Sequence, residues 1–360
     1  MAAASSLFAA DIATPKKLIE FGWDEPDTSF MKQHILEMEK TPFDGCVFHI
    51  QYRKPNNGRG DFMWECWDTR AFTEQDFAIS LEELKATKFT RFTHNFLRFN
   101  TSPGKIDWFD DFSAIANNAK LAAQVAREGR CKGVLFDIEQ YGFPLFNYRK
   151  QRDASSKTWD DYSAQVRKRG QEVMTAFQEG FPGLTVFLTF GYSLPWAQSG
   201  AGKKSLTECD YGMMAPFMDG LLQAVKGNTR VVDGYELAYS YKDPAQFDKA
   251  YSTMRTNLLP IVVEPKKYQE VFSMGFGLWL DNNWRKHGWD TNNFSKNFFT
   301  PEGFEGSLRK ALQTADEYVW IYSETPRWWS KSGGAVKLPA PYEAAIRRAR
   351  SSGAAAKDKE

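Results

Sequence analysis

The segment KGVLFDIEQY, residues 132–141, places a short apolar run directly before two carboxylates. The run from Gly133 to Phe136 predicts a buried strand, and Asp137 and Glu139 follow at its carboxyl end. Because side chains alternate between the two faces of a strand, we expect both acids to point to the same side and Ile138 to the other. This combination of a buried strand with paired terminal acids favours a parallel sheet that carries a site at its carboxyl edge.

Runs of strand length recur along the chain, and longer amphipathic segments separate most of them. We predict strands at Lys17–Gly22, Phe43–Ile50, Phe89–Leu97, Gly133–Ile138, Leu184–Phe190, Val231–Leu237, Phe272–Leu280 and Tyr318–Tyr322. Helices are expected at Thr28–Lys40, Leu81–Ala86, Trp108–Glu128, Trp159–Phe181, Pro244–Leu259 and Glu302–Ala315. Eight strands alternating with helices predict an α/β protein, and the count favours a closed (β/α)8 TIM barrel over an open doubly wound sheet.

No linker rich in Pro or Ser divides the chain, so we expect residues 17–345 to form a single barrel domain. Residues 1–16 are expected to be a flexible arm or the remnant of a signal peptide, because small residues with Leu7 and Phe8 precede an Ala-rich stretch. This start favours a periplasmic or secreted protein over a cytoplasmic one. Residues 346–360 are predicted to be a disordered tail, since the chain from Ser351 onward is small and charged.

Composition excludes several classes of function. The net charge is +1, from 46 basic and 45 acidic residues, so no overall field favours nucleic acid or an anionic membrane as a partner. No segment approaches the ~18 consecutive apolar residues of a membrane span. The four histidines and four cysteines show no ligand spacing, and no glycine-rich phosphate loop is present. We therefore expect neither a metal nor a cofactor.

Active sites of TIM barrels lie at the carboxyl ends of the strands, so the side chains that follow each predicted strand are candidate site residues. Sugar rings stack on indoles, and sugar hydroxyl groups bond to amides and carboxylates, which are the groups that crowd these positions. We therefore predict an oligo- or polysaccharide substrate. The candidate substrate-binding residues are Trp23, Asp24, His49, Asn95, Tyr141, Tyr192, Tyr239, Trp279, Asp281, Asn282, Tyr322, Glu324 and Trp328.

The paired acids also suggest a reaction. Two adjacent carboxylates cannot both ionise easily, so one of Asp137 and Glu139 is expected to hold its proton near neutral pH. Cleavage of a glycosidic bond needs a proton-holding acid beside a charged partner. The plainer alternative is that Asp137 caps the next turn and Glu139 lies on a solvated loop. The aromatic and polar strand ends favour the catalytic interpretation, a glycoside hydrolase.

The run Gly133–Glu139 resembles the end of the fourth-strand signature of chitinase-like glycoside hydrolases, which finishes in D-x-D-x-E. It is also similar to the hyaluronidase pattern, in which a D-x-E follows an apolar strand and aromatic residues and a proline come next, as Tyr141, Phe143 and Pro144 do here. The resemblance implies that Glu139 is the general acid and base. It also implies that Asp137 orients an N-acetyl group of the substrate, which attacks the anomeric carbon.

The match departs from the chitinase signature, because Lys132 and Leu135 occupy the positions of its earlier aspartates and the sixth strand carries Asp-Gly-Tyr-Glu236. A mechanism with a second carboxylate, either retaining or inverting, therefore stays open. Glu236 is the first candidate for that carboxylate, because it ends a clear strand, and Asp281 and Glu324 are the others. The non-enzymatic alternative is a barrel that binds carbohydrate without cleaving it.

Overall fold

Parallel strands form the centre of the protein in the computed structural model, which describes residues 15–54, 58–329 and 336–355. The barrel strands are β1 (Lys17–Gly22), β2 (Gly45–Phe48), β3 (Phe96–Asn100), β4 (Gly133–Asp137), β5 (Thr185–Leu188), β6 (Arg230–Asp233), β7 in two segments (Phe272–Met274 and Phe276–Trp279) and β8 (Tyr318–Ser323). Each strand pairs in parallel with its neighbour in chain order.

The barrel closes at β7. Its first segment, Phe272–Met274, pairs with β6, and its second segment, Phe276–Trp279, pairs with β8. The backbone N–H of Gly275, between the two segments, donates to the carbonyl of Asp233 at 2.8 Å. Strand β8 then pairs with β1 along six residues, from Lys17 opposite Tyr318 to Gly22 opposite Ser323. The sequence prediction of a (β/α)8 barrel is confirmed.

Helices surround the strands. They are α1 (Thr28–Met38), α2 (Ala78–Ala86), α3 (Ser113–Glu128), α4 (Trp159–Gly180), α5 (Ser193–Gln198), α6 (Met214–Ala224), α7 (Pro244–Ser252), α8 (Pro265–Val271), α9 (Trp284–His287), α10 (Pro301–Thr314) and α11 (Ala340–Ala355). The predicted helix Pro244–Leu259 is regular only to Ser252, and wider π-helical turns follow over Thr253–Asn257. Two short antiparallel strands, Gln51–Arg53 and Arg59–Asp61, follow β2.

Helix α4 shows how local sequence sets an element. Thr158 accepts a hydrogen bond from the backbone of Asp161, and the Asp161 carboxylate accepts in return from the backbone of Thr158, so two free N–H groups at the start of the helix are satisfied. Val166, Val173 and Phe177 recur at the spacing of one helix face and are fully buried. The apolar face of α4 therefore packs inward, against the sheet.

Alternation along the strands separates two apolar layers. Val134 and Phe136 of β4 belong to the layer between the barrel and its helices. Leu135 points the other way and packs in the barrel interior. That interior is filled by Ile19, Phe21, Val47, Phe96, Leu135, Phe187, Val232, Tyr318 and Trp320. The barrel is a packed core, so ligands can bind only at its ends.

The third strand differs from its prediction. We expected Phe89–Leu97, but β3 covers Phe96–Asn100. The Glu39 carboxylate accepts hydrogen bonds from the backbone N–H groups of residues 90–92, at 2.7 to 3.1 Å, so this segment is satisfied as a loop and does not join the sheet. The shift moves the carboxyl end of β3 several residues along the chain.

The predicted tail is also corrected. Residues 346–355 belong to α11, where Tyr342, Ile346 and Ala349 are buried as one apolar stripe. The sequence prediction weighted the small and charged residues and missed this helical spacing. Residues 1–14 of the predicted arm and residues 356–360 lie outside the part of the chain that the structure describes. Within the described part, every helix is too short or too polar to span a bilayer.

Gly133 tests the close packing of the barrel. A Cβ atom at this position would lie 1.9 Å from the carbonyl oxygen of Thr185 on β5. We expect Gly133→Ala to lower the free energy of unfolding by ~1–3 kcal/mol or more, because two strands must separate to accept the methyl group. Urea denaturation measures the change.

Gly306 on α10 provides the control, since a Cβ atom there would meet nothing within 4 Å. Gly306→Ala should raise the free energy of unfolding by ~0.5–1 kcal/mol, because alanine favours the helix. If both variants had the same stability, strand contact would not be the reason for glycine at position 133.

Candidate active site

The carboxylate of Asp137 is buried at the carboxyl end of β4, inside the mouth of the barrel. Its Oδ2 accepts a hydrogen bond from the Arg98 guanidinium at 2.6 Å and one from the Tyr141 hydroxyl at 2.7 Å. Its Oδ1 accepts the backbone N–H of Glu139 at 3.1 Å, so Asp137 also shapes the turn that follows β4. Asp137 has no exposed surface, whereas Glu139 is half-buried and lines the pocket above it.

Arg98 was missed by the sequence prediction, because the predicted β3 stopped before it. In the actual strand Arg98 shares the inward face with Phe96, and its guanidinium also bonds to Glu25 at 2.8 Å. Arg98 is almost fully buried between the carboxylates of Glu25 and Asp137. An arginine inside the apolar run FLRFN was the available signal, since an arginine is almost never buried without partners.

Glu25 lies at the end of β1 and joins this network. Its carboxylate contacts Arg98 and accepts a hydrogen bond from Nδ1 of His49 at 3.2 Å. Burial raises the pKa of Glu25, but the positive charge of Arg98 and the contact with His49 outweigh it and hold the pKa below its usual value. Glu25 therefore stays ionised, and His49 is oriented toward the pocket.

A pocket of about 680 Å³ opens where the strands end, and we call it the active-site pocket. It brings together nine of the candidate residues from different strands, although the sequence separates them by up to 301 positions. These are Trp23, His49, Glu139, Tyr141, Glu236, Tyr239, Trp279, Tyr322 and Glu324. Lining residues that the sequence analysis did not single out include Glu25, Trp64, Arg98 and Arg285.

Glu139 and Glu236 are the two carboxyl groups of this pocket with raised pKa values. Burial raises the pKa of Glu139, and the negative charge of Asp137 raises it further. Burial also raises the pKa of Glu236, well above its usual value, and the charges of Glu139 and Asp137 add to this. Because each resists ionisation beside the other, the pair retains at least one proton at pH values where an ordinary glutamic acid has lost it.

Aromatic rings form the walls of the pocket. Tyr239 stacks on Tyr322 with ring centroids 5.6 Å apart. Trp23 is 51% exposed, and its indole meets the edge of Trp284. On another side of the mouth, Trp64 and Tyr141 (41% and 48% exposed) pack edge to face at 5.4 Å. Large aromatic faces therefore remain free for a ligand at two places around the mouth.

Glu324 and Asp281 are held by protein contacts. Glu324 accepts hydrogen bonds from the Trp284 indole at 2.6 Å and from Arg285 at 2.5 Å, and the Tyr322 hydroxyl donates to it at 3.1 Å. Asp281 is buried outside the pocket wall and accepts from the Trp279 indole and from the backbone of Glu324. Asp281 thus positions Trp279 and Glu324, and its other backbone bond holds the loop after β8.

Besides Asp137 and Asp281, five predicted site residues lie away from the pocket wall: Asp24, Asn95, Tyr192, Asn282 and Trp328. Asn95 precedes β3, so it lies at the opposite end of the barrel, where its side chain bonds to the backbone of Cys46 and Phe92. Tyr192 is fully buried outside the barrel, and its hydroxyl donates to Asp219 at 2.8 Å. Asn95 was predicted at the wrong end of the barrel because the predicted boundary of β3 was wrong. Tyr192 was expected to face the pocket because it follows β5, but a position after a strand does not fix the direction of a side chain.

Asp24 and Trp328 contact each other through the backbone. Oδ2 of Asp24 accepts the N–H of Trp328 at 2.7 Å, and the Trp328 ring packs edge-on against Phe43 at 4.7 Å. This contact fixes the segment after β8 to the end of β1. Asn282 is buried and follows Trp279 in a turn. These three residues support the loops that surround the pocket.

Among the residues that the structure describes, His, Cys, Asp and Glu side chains form no cluster of three that could hold a metal ion. The four cysteines are buried free thiols. The wall of the pocket presents carboxyl groups, guanidinium groups, aromatic rings and the imidazole of His49.

Comparison with known proteins supports the fold. No protein-family model and no curated protein matches the sequence. Among solved structures, a GH5-4 broad specificity endoglucanase from Clostridium longisporum aligns over 89% of this chain and 86% of its own, with a TM-score of 0.50 and 10% identity. The agarase AgWH50C aligns over 77% of this chain and 45% of its own, with a TM-score of 0.38 and 13% identity. At 10% identity, the similarity to the endoglucanase establishes the barrel fold alone, and an activity has to be inferred from the site itself.

Removal of the Arg98 side chain should destabilise the folded protein. We expect Arg98→Met to lower the free energy of unfolding by ~3–5 kcal/mol near neutral pH, because two buried carboxylates lose their common partner. Arg98 holds the pKa of Glu25 below 4.5, so its stabilising effect is complete above that pH and is lost as pH falls through the lowered pKa. The deficit should therefore shrink in acid.

Urea denaturation over a pH series measures this effect. Arg347→Met is the matched control, since Arg347 forms an exposed pair with Glu343 one turn away on α11 and should contribute less than ~1 kcal/mol. A deficit for Arg98→Met as small as that of the control would contradict the role given to the buried network.

Proposed function

We propose that this protein is a glycoside hydrolase. The observation that carries the proposal is that Glu139 and Glu236, both with raised pKa values, line one pocket together with exposed aromatic rings. A carboxyl group that keeps its proton beside a second carboxyl group is what cleavage of a glycosidic bond requires. Exposed indole and phenol faces bind the C–H faces of sugar rings.

Glu139 is the general acid and base in this proposal. It is half-buried in the pocket wall, next to the fixed charge of Asp137, which makes it give up its proton less readily. Glu139 would donate that proton to the oxygen of the leaving sugar and afterwards take a proton from water. Glu236, as a carboxylate, would either attack the anomeric carbon or activate water for that attack.

The reverse assignment has a specific observation in its favour. Burial raises the pKa of Glu236 well above its usual value, and the charges of both Glu139 and Asp137 raise it further. In the free protein the shared proton would then reside on Glu236, which would act as the acid with Glu139 as its partner. The two assignments predict opposite outcomes for substitution of each residue.

Asp137 acts as a positioning residue in either assignment. Its bonds to Arg98, Tyr141 and the backbone of Glu139 occupy both of its oxygens. In a substrate-assisted mechanism Asp137 would orient an N-acetyl group, but its carboxylate has no exposed surface, so a neighbour such as Arg98 or Tyr141 would have to move to admit that group. The two-carboxyl mechanism uses the site as it stands, so we favour it.

The charges of the pocket favour an uncharged sugar. Arg98 is paired with Glu25 and Asp137, and the other arginine of the pocket wall, Arg285, is paired with Glu324. An acidic or sulfated sugar would have to compete with these carboxylates for each guanidinium group. The name of the endoglucanase with the similar fold fits a carbohydrate substrate of this kind, but the site carries the argument.

Substitution of the two acids tests the proposal. Glu139→Gln should lower kcat by about 10²–10⁴-fold, most strongly for substrates with poor leaving groups, while binding persists, because the amide keeps the shape but has no proton to transfer. Nitrophenyl glycosides with and without an N-acetyl group, compared with unactivated oligosaccharides, provide the assay. Glu317→Gln, at the opposite end of the barrel, is the control and should retain full activity.

Azide distinguishes the roles of the two residues. If Glu236 is a nucleophile, azide should restore activity to Glu236→Ala and give a glycosyl azide of inverted configuration. The same product from Glu139→Ala would reverse the assignment. Full activity of both glutamine variants would end the assignment of these two residues. If the unaltered protein cleaved none of the glycosides, the hydrolase proposal would end and leave a barrel that binds sugar without cleaving it.

Substitution of Asp137 tests the coupling of the acids. Glu139 works while it is protonated, so activity should fall as pH rises through its pKa, which the negative charge of Asp137 raises. Asp137→Asn removes that charge, lowers the pKa of Glu139 and should move the alkaline limb of the kcat/KM profile to lower pH. The pH–rate profiles of both proteins measure the shift, and coincident alkaline limbs would show that the two acids are uncoupled.

A further inference from the structure

A second depression of about 390 Å³ lies beside the active-site pocket, and we call it the side pocket. Its wall includes Tyr141, Phe143, Asn147, Asp210 and Tyr211. The volume falls in the range of ~300–1,000 Å³ that is common for small-molecule sites. Its aromatic rings, amide and carboxylate are the kinds of group that sugars bind, as in the active-site pocket.

Tyr141 belongs to both pockets. Its hydroxyl is fixed by Asp137 at 2.7 Å, and its ring, which is 48% exposed, packs against Trp64. Glu139, two residues before Tyr141 in the loop after β4, lines the active-site pocket with it. The proposed acid therefore lies next to the residue that both pockets share. A glycosidic bond broken there has one sugar on each side.

The side pocket is preformed by a small set of hydrogen bonds. The backbone of Gln140 donates to the Tyr211 hydroxyl at 3.0 Å, and its side-chain amide donates to the carbonyl of Asp210 at 3.3 Å and accepts from the backbone of Phe146 at 2.6 Å. Asn147 also donates to the Asp210 carboxylate at 2.8 Å. These bonds fasten the loop after β4 to the loop before α6, so the pocket exists without a ligand.

We propose that the side pocket binds further sugar units of a chain whose cleaved bond lies beside Glu139, and that the protein therefore cuts within oligosaccharides. This inference rests on the proposed hydrolase function. An enzyme that releases single terminal units has a wall that leaves room for only one unit on one side of the cleaved bond. Here Tyr141, two residues from the proposed acid, also lines a second pocket, so a sugar chain could extend beyond the active-site pocket. Phe143 supplies a ring that the active-site pocket does not use.

Binding can be measured without turnover in Glu139→Gln protein, by calorimetry with cello- and chito-oligosaccharides from the dimer to the hexamer. We expect affinity to rise with chain length. Adding Phe143→Ala should weaken hexamer binding about tenfold and dimer binding much less, because only the longer chain reaches the side pocket. Phe30→Ala is the matched control, since Phe30 is also half-buried but lies on α1, outside both pockets, and should change neither affinity.

The products of hexamer hydrolysis by the unaltered protein complete the test. Internal fragments are expected from the first turnovers. Release of single units from one chain end, affinity independent of length, or an equal effect of Phe143→Ala on dimer and hexamer would each overturn the inference. Binding that depends on Phe143 without hydrolysis of any sugar would retain the side pocket as a binding site and reject the hydrolase function instead.

Discussion

The buried guanidinium of Arg98 is the constraint on which the site depends. It lies between the carboxylates of Glu25 and Asp137, at 2.8 and 2.6 Å, so it joins the ends of β1, β3 and β4. A buried charge of this kind costs several kcal/mol of solvation unless its partners have good geometry. Since β-strands fix the direction of each side chain, the barrel supplies that geometry, and removal of one partner leaves the others uncompensated.

The same pocket holds carboxyl groups in two opposite environments. Arg98 and His49 outweigh burial at Glu25 and keep its pKa low, whereas burial and nearby negative charges raise the pKa of Glu139 and Glu236. An active site can combine acid and base chemistry near neutral pH when some of its carboxyl groups stay ionised and others hold a proton. In the proposed mechanism, Arg98 pairs with Glu25 and Asp137, the carboxylates that would not react.

The sequence predicted the barrel and the acids after β4 because both depend on local signals: strand-length apolar runs and alternation. It could not predict Arg98, because the boundary of β3 depends on the Glu39 carboxylate, which binds a backbone segment 51 to 53 residues away. Tyr192 and Tyr239 both follow strands, but only Tyr239 turns into the pocket. That direction depends on tertiary packing, such as the bond of Tyr192 to Asp219, and no local pattern encodes it.

The burial of Asp137 bears on the mechanism. Its carboxylate has no exposed surface, so a neighbour such as Arg98 or Tyr141 would have to move before a substrate group could contact it, and loss of the Arg98 bond would leave a buried cation short of one partner. The cost of that rearrangement would be added to the activation barrier unless the substrate replaced the lost bonds. Glu139 and Glu236 already face the same pocket and need no such movement. In the proposed mechanism Glu139, which the resemblance to D-x-E hydrolases suggests as the acid, would therefore pair with Glu236 and not with Asp137.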